Sequence, residues 1–256
     1  MIRAELKKYF QTRLFWVLNA VGLGLLVIYS LLVTGMERVG LQQVTAFDYL
    51  IGSVNIYVTS LLPVLVCLFA AYAFASEYQW RTLMIPLVEG RSRSAVLWGK
   101  AALCALTTLA FAAIYLIFAL GFAFGLFSAQ DMLLENRVIS PLEAVLRIAT
   151  ATAWIALITF VFGLAAMVLA ARFRHPLLAS AGSLLLFFIF LMTADVRRNP
   201  FAPLLQVPRL LVQSANLSDP AFGLTVLQGV GVWVAVTGVI LGVFFIVFHR
   251  QDIVFE

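Results

Sequence analysis

Six stretches of the chain contain no Asp, Glu, Lys, Arg or His: residues 14–34, 55–75, 101–127, 148–171, 177–194 and 222–248. They are 21, 21, 27, 24, 18 and 27 residues long. At about 1.5 Å of rise per residue each can cross a hydrocarbon core about 30 Å thick, the longer ones by tilting and the fifth with nothing to spare. The pattern predicts an all-α integral membrane protein, a single domain over 1–256 with six transmembrane helices. A signal peptide competes for the first run, because Arg3, Lys7, Lys8 and Arg13 precede it as an n-region would. Its 21 residues exceed the usual apolar segment of about 7 to 15, and no Ala-x-Ala site follows, so a retained helix is expected.

Composition agrees with this reading. The chain is 63% hydrophobic and 11% charged, against about half and about a quarter in soluble domains. Its mean hydropathy is +1.04, which leaves too little polar surface to coat a water-soluble globule. The net charge of +5 is distributed unevenly. If the N-terminus is inside, 11 of the 17 Lys and Arg flank the runs on that side, and six lie opposite, Arg38, Arg137, Arg147, Arg197, Arg198 and Arg209. Cytoplasmic loops carry the excess of Lys and Arg, so both termini are expected in the cytoplasm. No basic run interleaved with aromatics supports a nucleic-acid partner. Cys67 and Cys104 lie inside apolar runs without a CxxC partner, which points to buried free thiols and no metal site.

Several chemistries lack their residues. An ionisable group at membrane depth marks a proton or ion pathway, and the six runs have none. Proton coupling is therefore disfavoured, while sodium coupling through carbonyls and hydroxyls is only weakened. His175 and His249 stand at the ends of runs and no HExxH pattern occurs. The Gly90 to Lys100 segment misses the phosphate-loop pattern, with Ser94 where Gly is needed and Ala101 after Lys100. The chain is thus not expected to be an enzyme or to hold a cofactor of its own.

Small and polar residues mark helix faces. Gly121 with Gly125, Gly238 with Gly242, and the face of Thr152, Ala156, Thr159 and Gly163 read as close helix packing or as a dimer seam. In the second run Asn55, Thr59, Pro63 and Cys67 follow at i+4 steps, either a substrate path or interhelical hydrogen bonding beside a proline kink. Asn55 and Thr59, with Phe187, Phe190 and Met192 of the fifth run, are the candidate lining of a substrate pathway.

Outside the runs, residues 1–13 place Ile2, Leu6 and Tyr9 or Phe10 on one helical side and Arg3 and Lys7 on another. Such an amphipathic helix would lie along the cytoplasmic interface among membrane lipids. Residues 195–221, with Pro200, Pro203, Pro208 and Pro220, read as short external or re-entrant helices between the fifth and sixth spans, or as a plain surface loop. The longest cytoplasmic loop is 76–100. There Glu77, Arg81, Glu89, Arg91, Arg93 and Lys100 alternate with apolar Trp80, Leu83, Met84, Ile85, Leu87 and Val88. A helix from 77 to 85, stopped by Pro86, would offer one apolar and one charged side for docking a protein. Arg172 and Arg174 are expected on one face, as a second contact or as flanking charge.

This loop resembles that of the membrane subunits of type-2 ABC exporters. In that family an acidic residue after the second helix leads to an Arg-Thr-Leu or Gly-Thr-Leu stretch, a Pro, an Arg-rich turn and a Gly-Lys opening the third helix. Here stand Glu77, Arg81-Thr82-Leu83, Pro86, Arg91-Ser92-Arg93 and Gly99-Lys100 in that order, with Trp80-Arg81 where a small Gly is frequent. The resemblance implies a permease in the bacterial plasma (inner) membrane that pairs with a second permease copy or paralogue. Two cytoplasmic ATP-binding cassette subunits would bind ATP and Mg, and the exported compound would be lipophilic or amphiphilic. It further implies coupling to the ATPase through Glu77, Trp80, Arg81, Leu83, Arg91, Arg93, Lys100, Arg172 and Arg174. Two other readings stay open: a non-transporting scaffold that recruits a soluble partner through the same loop, and a sodium-coupled carrier.

Overall fold

The computed structural model describes residues 12–40, 44–79, 90, 92–128, 132–134, 137–194 and 226–250. Among them the chain is helical apart from one short hairpin. The helices are α1 (Arg13–Arg38), α2 (Ala46–Ile56), a π-helical turn (Tyr57–Leu61), α3 (Leu62–Gln79), α4 (Arg93–Leu126), α5 (Pro141–Phe173), α6 (Pro176–Ala194) and α7 (Val226–Arg250). Strands β1 (Met132–Leu134) and β2 (Arg137–Ile139) pair antiparallel, Met132 opposite Ile139, between α4 and α5. The six-run pattern contains no sign of this hairpin. Four helices, α1, α3, α4 and α5, are long and apolar enough to cross a membrane. Residues 1–11 of the expected interfacial helix over 1–13, and the expected external segment 195–221, lie outside the described residues.

α1, α4 and α5 are longer than the uncharged runs they overlap, and side-chain caps, not charges, set the starts of α2, α4 and α5. Thr45 and Asp48 form a capping box that starts α2. The Ser92 hydroxyl accepts from the Ala95 amide at the head of α4. Ser140 does the same for Glu143, with Pro141 in the first turn of α5. Arg174, at φ 53°, ends α5 in the left-handed region. As a result α4 and α5 reach 34 and 33 residues, about 50 Å each, well beyond a hydrocarbon core of about 30 Å.

The second run is interrupted within a continuous helical stretch. Pro63 lacks an N–H and its ring crowds the carbonyl four residues back, at Thr59. The chain responds with a wider turn in which the Leu62 amide donates to the Tyr57 carbonyl, five residues away. The proline kink expected here takes this form.

The core is built around α3, which packs most extensively on α5 and α6. Gly163 makes the close approach possible: a Cβ there would sit 2.7 Å from Cys104 Sγ and 2.9 Å from Val66 Cγ1. Its face-mates Thr152, Ala156 and Thr159 are all buried, so this stripe packs inside the chain. The two GxxxG pairs do not pack so closely, because none of Gly121, Gly125, Gly238 or Gly242 has an atom of the described residues within 4 Å of where its Cβ would be. Cys67 and Cys104 are buried free thiols.

Phe15 of α1 packs on Phe69 of α3 and Phe111 of α4, with ring centroids 6.1 and 5.1 Å away. Phe69 precedes Glu77 by eight residues and Phe111 follows Lys100 by 11. The start of α1 is therefore about 12 to 16 Å along the bundle from the Glu77 and Lys100 level. Below it α3, α4, α5 and α7 continue as a short stub.

Candidate functional site

The stub contains the one ion pair of the described residues that is fully buried. Glu77 is in the last turn of α3, and Lys100 is in the second full turn of α4, since α3 runs on to Gln79 and α4 already starts at Arg93. Lys100 Nζ donates to Glu77 Oε1 at 2.6 Å. Glu77 is 3% exposed and Lys100 1%. Withdrawing either charge from water costs several kcal/mol, which direct contact with the partner charge offsets. Sequence reasoning groups both residues with the docking surface; the structure instead buries them between α3 and α4. The pair bridges the two ends of the 80–92 connection, so α3 and α4 are fastened together at its base.

Around the pair the helix ends are tied to one another. Arg174 lies over the Tyr78 ring, 5.8 Å from its centroid, linking the end of α5 to α3. Arg93 Nη1 donates to the His249 carbonyl at 3.1 Å, which holds the last turn of α7 against the start of α4. Phe74 meets Phe244 and Phe248, and Trp98 meets Phe245, on the same side. Among the predicted coupling residues the structure thus brings Glu77, Lys100, Arg93 and Arg174 to one end of the bundle. Arg172 and Arg174 are both exposed, but α5 stops at Phe173, so the helical face they were expected to share ends between them. Trp80, Arg81, Leu83 and Arg91 lie outside the described residues, as does most of the expected 77–85 docking helix. Tyr78, Phe74 and the His249 carbonyl were missed in the sequence. Aromatic spacing on α3 and α7 was the available signal, but it does not say which aromatics meet.

A second feature lies nearer the other end. Between α1, α2, the π-helical turn and α3 is a cavity of about 470 Å³, touched by Phe188 of α6 and bordered by Tyr29, Tyr57, Ser53 and Ser60. The pathway residues predicted from sequence do not coincide with it. Phe187 is buried at 2% exposure and meets Phe162 edge-on at 5.2 Å, so its neighbour Phe188, on the adjoining face of α6, reaches the cavity instead. Asn55 and Thr59 fall in α2 and the π-helical turn, and Phe190 and Met192 in α6; their side chains are outside the described residues. Pro63 and Cys67, the lower half of the polar stripe, are buried in the bundle and do not line the cavity.

Among the described residues no group of three or more His, Cys, Asp or Glu could hold a metal ion. Four helices of membrane-crossing length and composition around an apolar core are the make-up of a multi-pass helical membrane protein. No protein-family model matches the chain, and no curated protein matches it.

Proposed function

We propose that this chain is the permease subunit of a type-2 ABC exporter. It would cross the plasma membrane six times with both termini cytoplasmic, pair with a second permease copy or paralogue, and take its energy from cytoplasmic ATP-binding subunits that hold ATP and Mg. The carrying observation is the buried Glu77–Lys100 pair. It joins the first and last charged residues of the loop motif on which the resemblance rests, and it makes the loop base a stiff joint between two long helices. Force applied to such a loop by a partner would move α3 and α4 as one body. A scaffold needs no such joint, because recruitment requires only a surface.

The test is to ask whether a neighbouring gene encodes a cassette ATPase and, with that ATPase, to reconstitute the chain in lipid vesicles. The permease should bind the ATPase and raise its ATP turnover severalfold, and Arg93→Glu, which also releases the His249 contact, should reduce both. Binding without any change in turnover would favour the scaffold; flux that tracks a sodium gradient without ATP would favour the carrier. Orientation is checked separately with single cysteines at Gln42 and Gln130. A membrane-impermeant maleimide should label both from outside only, and the buried Cys67 and Cys104 need not be replaced.

A further inference from the structure

We infer that the cavity beside the π-helical turn is a binding slot for one acyl chain of a bilayer lipid. The assignment rests on the helices spanning a membrane and not on the ATP-driven reading. Three observations carry it.

The first is shape. On α1 the lining runs from Leu25 to Leu32, two turns, and on the facing segment from Ser53 to Val64, three turns. By helical rise the slot is about 10 to 16 Å long. Its volume of about 470 Å³ is within the range of small-ligand sites. That elongated shape suits a single flexible chain.

The second is rigidity. Two reciprocal contacts stitch the walls together, one toward each end. The Tyr57 hydroxyl of the π-helical turn sits where a Cβ at Gly22 of α1 would be 2.7 Å away. The Tyr29 hydroxyl of α1 occupies the space that a Cβ at Gly52 of α2 would need. Tyr57 is further backed by Tyr115, stacked on it at 3.8 Å. The slot is thus preformed, and a ligand entering it pays little to order the walls.

The third is chemistry and access. Among the described residues no charged one lines the slot, and the Ser53 hydroxyl in its wall donates to its own helix at the Leu50 carbonyl. Leu25, Ile28, Leu32 and Ile56 are part of the lining and are also exposed on the outside of the bundle. The mouth therefore opens sideways, and beside a membrane-crossing helix what stands there is lipid hydrocarbon. The lining on α1 begins 12 residues past Arg13, about 18 Å up that helix. The chain accordingly comes from the leaflet at the far end from the Glu77–Lys100 pair.

The experiment uses the full chain alone in phosphatidylcholine nanodiscs containing a phosphatidylcholine with a photoreactive diazirine in one acyl chain. After irradiation, labelled peptides are mapped by mass spectrometry. Ile28, Leu32, Ile56 and Ser60 should be labelled at least severalfold above Ile117 on α4, which is 67% exposed but outside the slot. Ser60→Trp, which fills the slot, should bring the slot residues down to the Ile117 level while Ile117 labelling stays constant and so reports an intact fold. Equal labelling of slot and Ile117 in the unmodified chain would overturn the proposal. So would slot labelling that survives Ser60→Trp, or a slot left unlabelled while Ile28→Cys crosslinks two copies. No ATPase is present, so none of these outcomes bears on the coupling reading.

Discussion

Glu77→Leu, made alone, should lower the unfolding free energy in detergent by on the order of 3 to 5 kcal/mol, because it leaves the Lys100 ammonium buried without its counter-charge. Lys100→Met should cost about the same, by stranding the carboxylate. The double variant Glu77→Leu with Lys100→Met should recover most of the loss, since it removes both desolvation penalties and fills the space with apolar groups of similar size. Thermal or denaturant unfolding of the four proteins gives the coupling energy as a double-mutant cycle. Single losses below about 1 kcal/mol, as exposed pairs give, would mean that the two charges are hydrated. The double variant also separates two roles that the single ones confuse. If it is stable yet no longer responds to the ATPase, the charges matter to how the loop base moves; if it responds normally, a tight apolar contact there is sufficient.

Gly163→Leu should be strongly destabilising. Its Cβ would meet Cys104 Sγ at 2.7 Å and Val66 Cγ1 at 2.9 Å, and the branches beyond it must displace α3 or α4. Overpacking of a close-packed core costs about 1 to 3 kcal/mol and sometimes more, against a gain in helix propensity of at most about 1 kcal/mol on leaving Gly. The clash wins. At Gly121 and Gly242 no atom of the described residues lies within 4 Å, so leucine there should leave monomer stability unchanged or slightly raised. Melting temperatures of the three variants check the contrast. If Gly121→Leu or Gly242→Leu instead destabilises a purified dimer, those faces form a seam between copies.

How much of this could be read in advance follows from what constrains each feature. The membrane-crossing stretches are legible because a charge cannot remain in hydrocarbon, and four helices long and apolar enough to cross a membrane, α1, α3, α4 and α5, coincide with uncharged runs. The helix ends are not, since Ser92 and Ser140 cap turns that still carry Arg93, Glu143 and Arg147. For the same reason Glu77 and Lys100 look like loop charges: 23 residues separate them, and Lys and Glu are rarely buried unless paired. Only the folded arrangement pairs them. Aromatic runs are ambiguous in another way. Phe187 and Phe188 are indistinguishable by hydropathy, and the phase of α6 alone sends one into the core and the other to the cavity. Pro63 did signal its distortion, but not that the chain would absorb it by widening a turn.

That widened turn also changes what an i+4 repeat means. On an α-helix each i+4 step advances about 40° around the axis, so three steps from position 55 to position 67 would wind about 120°. The extra residue held in the turn at Tyr57–Leu61 takes back about 100° of this. Backbone positions 55, 59, 63 and 67 therefore lie almost in a straight line parallel to the axis. Shortening the turn by one residue would restore ordinary helix and swing all of α2 about a quarter of a circle, carrying Tyr49 away from its 2.6 Å contact with Ser30. The turn acts as a phase-setting insertion, a single residue that decides which way the upper third of a membrane helix looks.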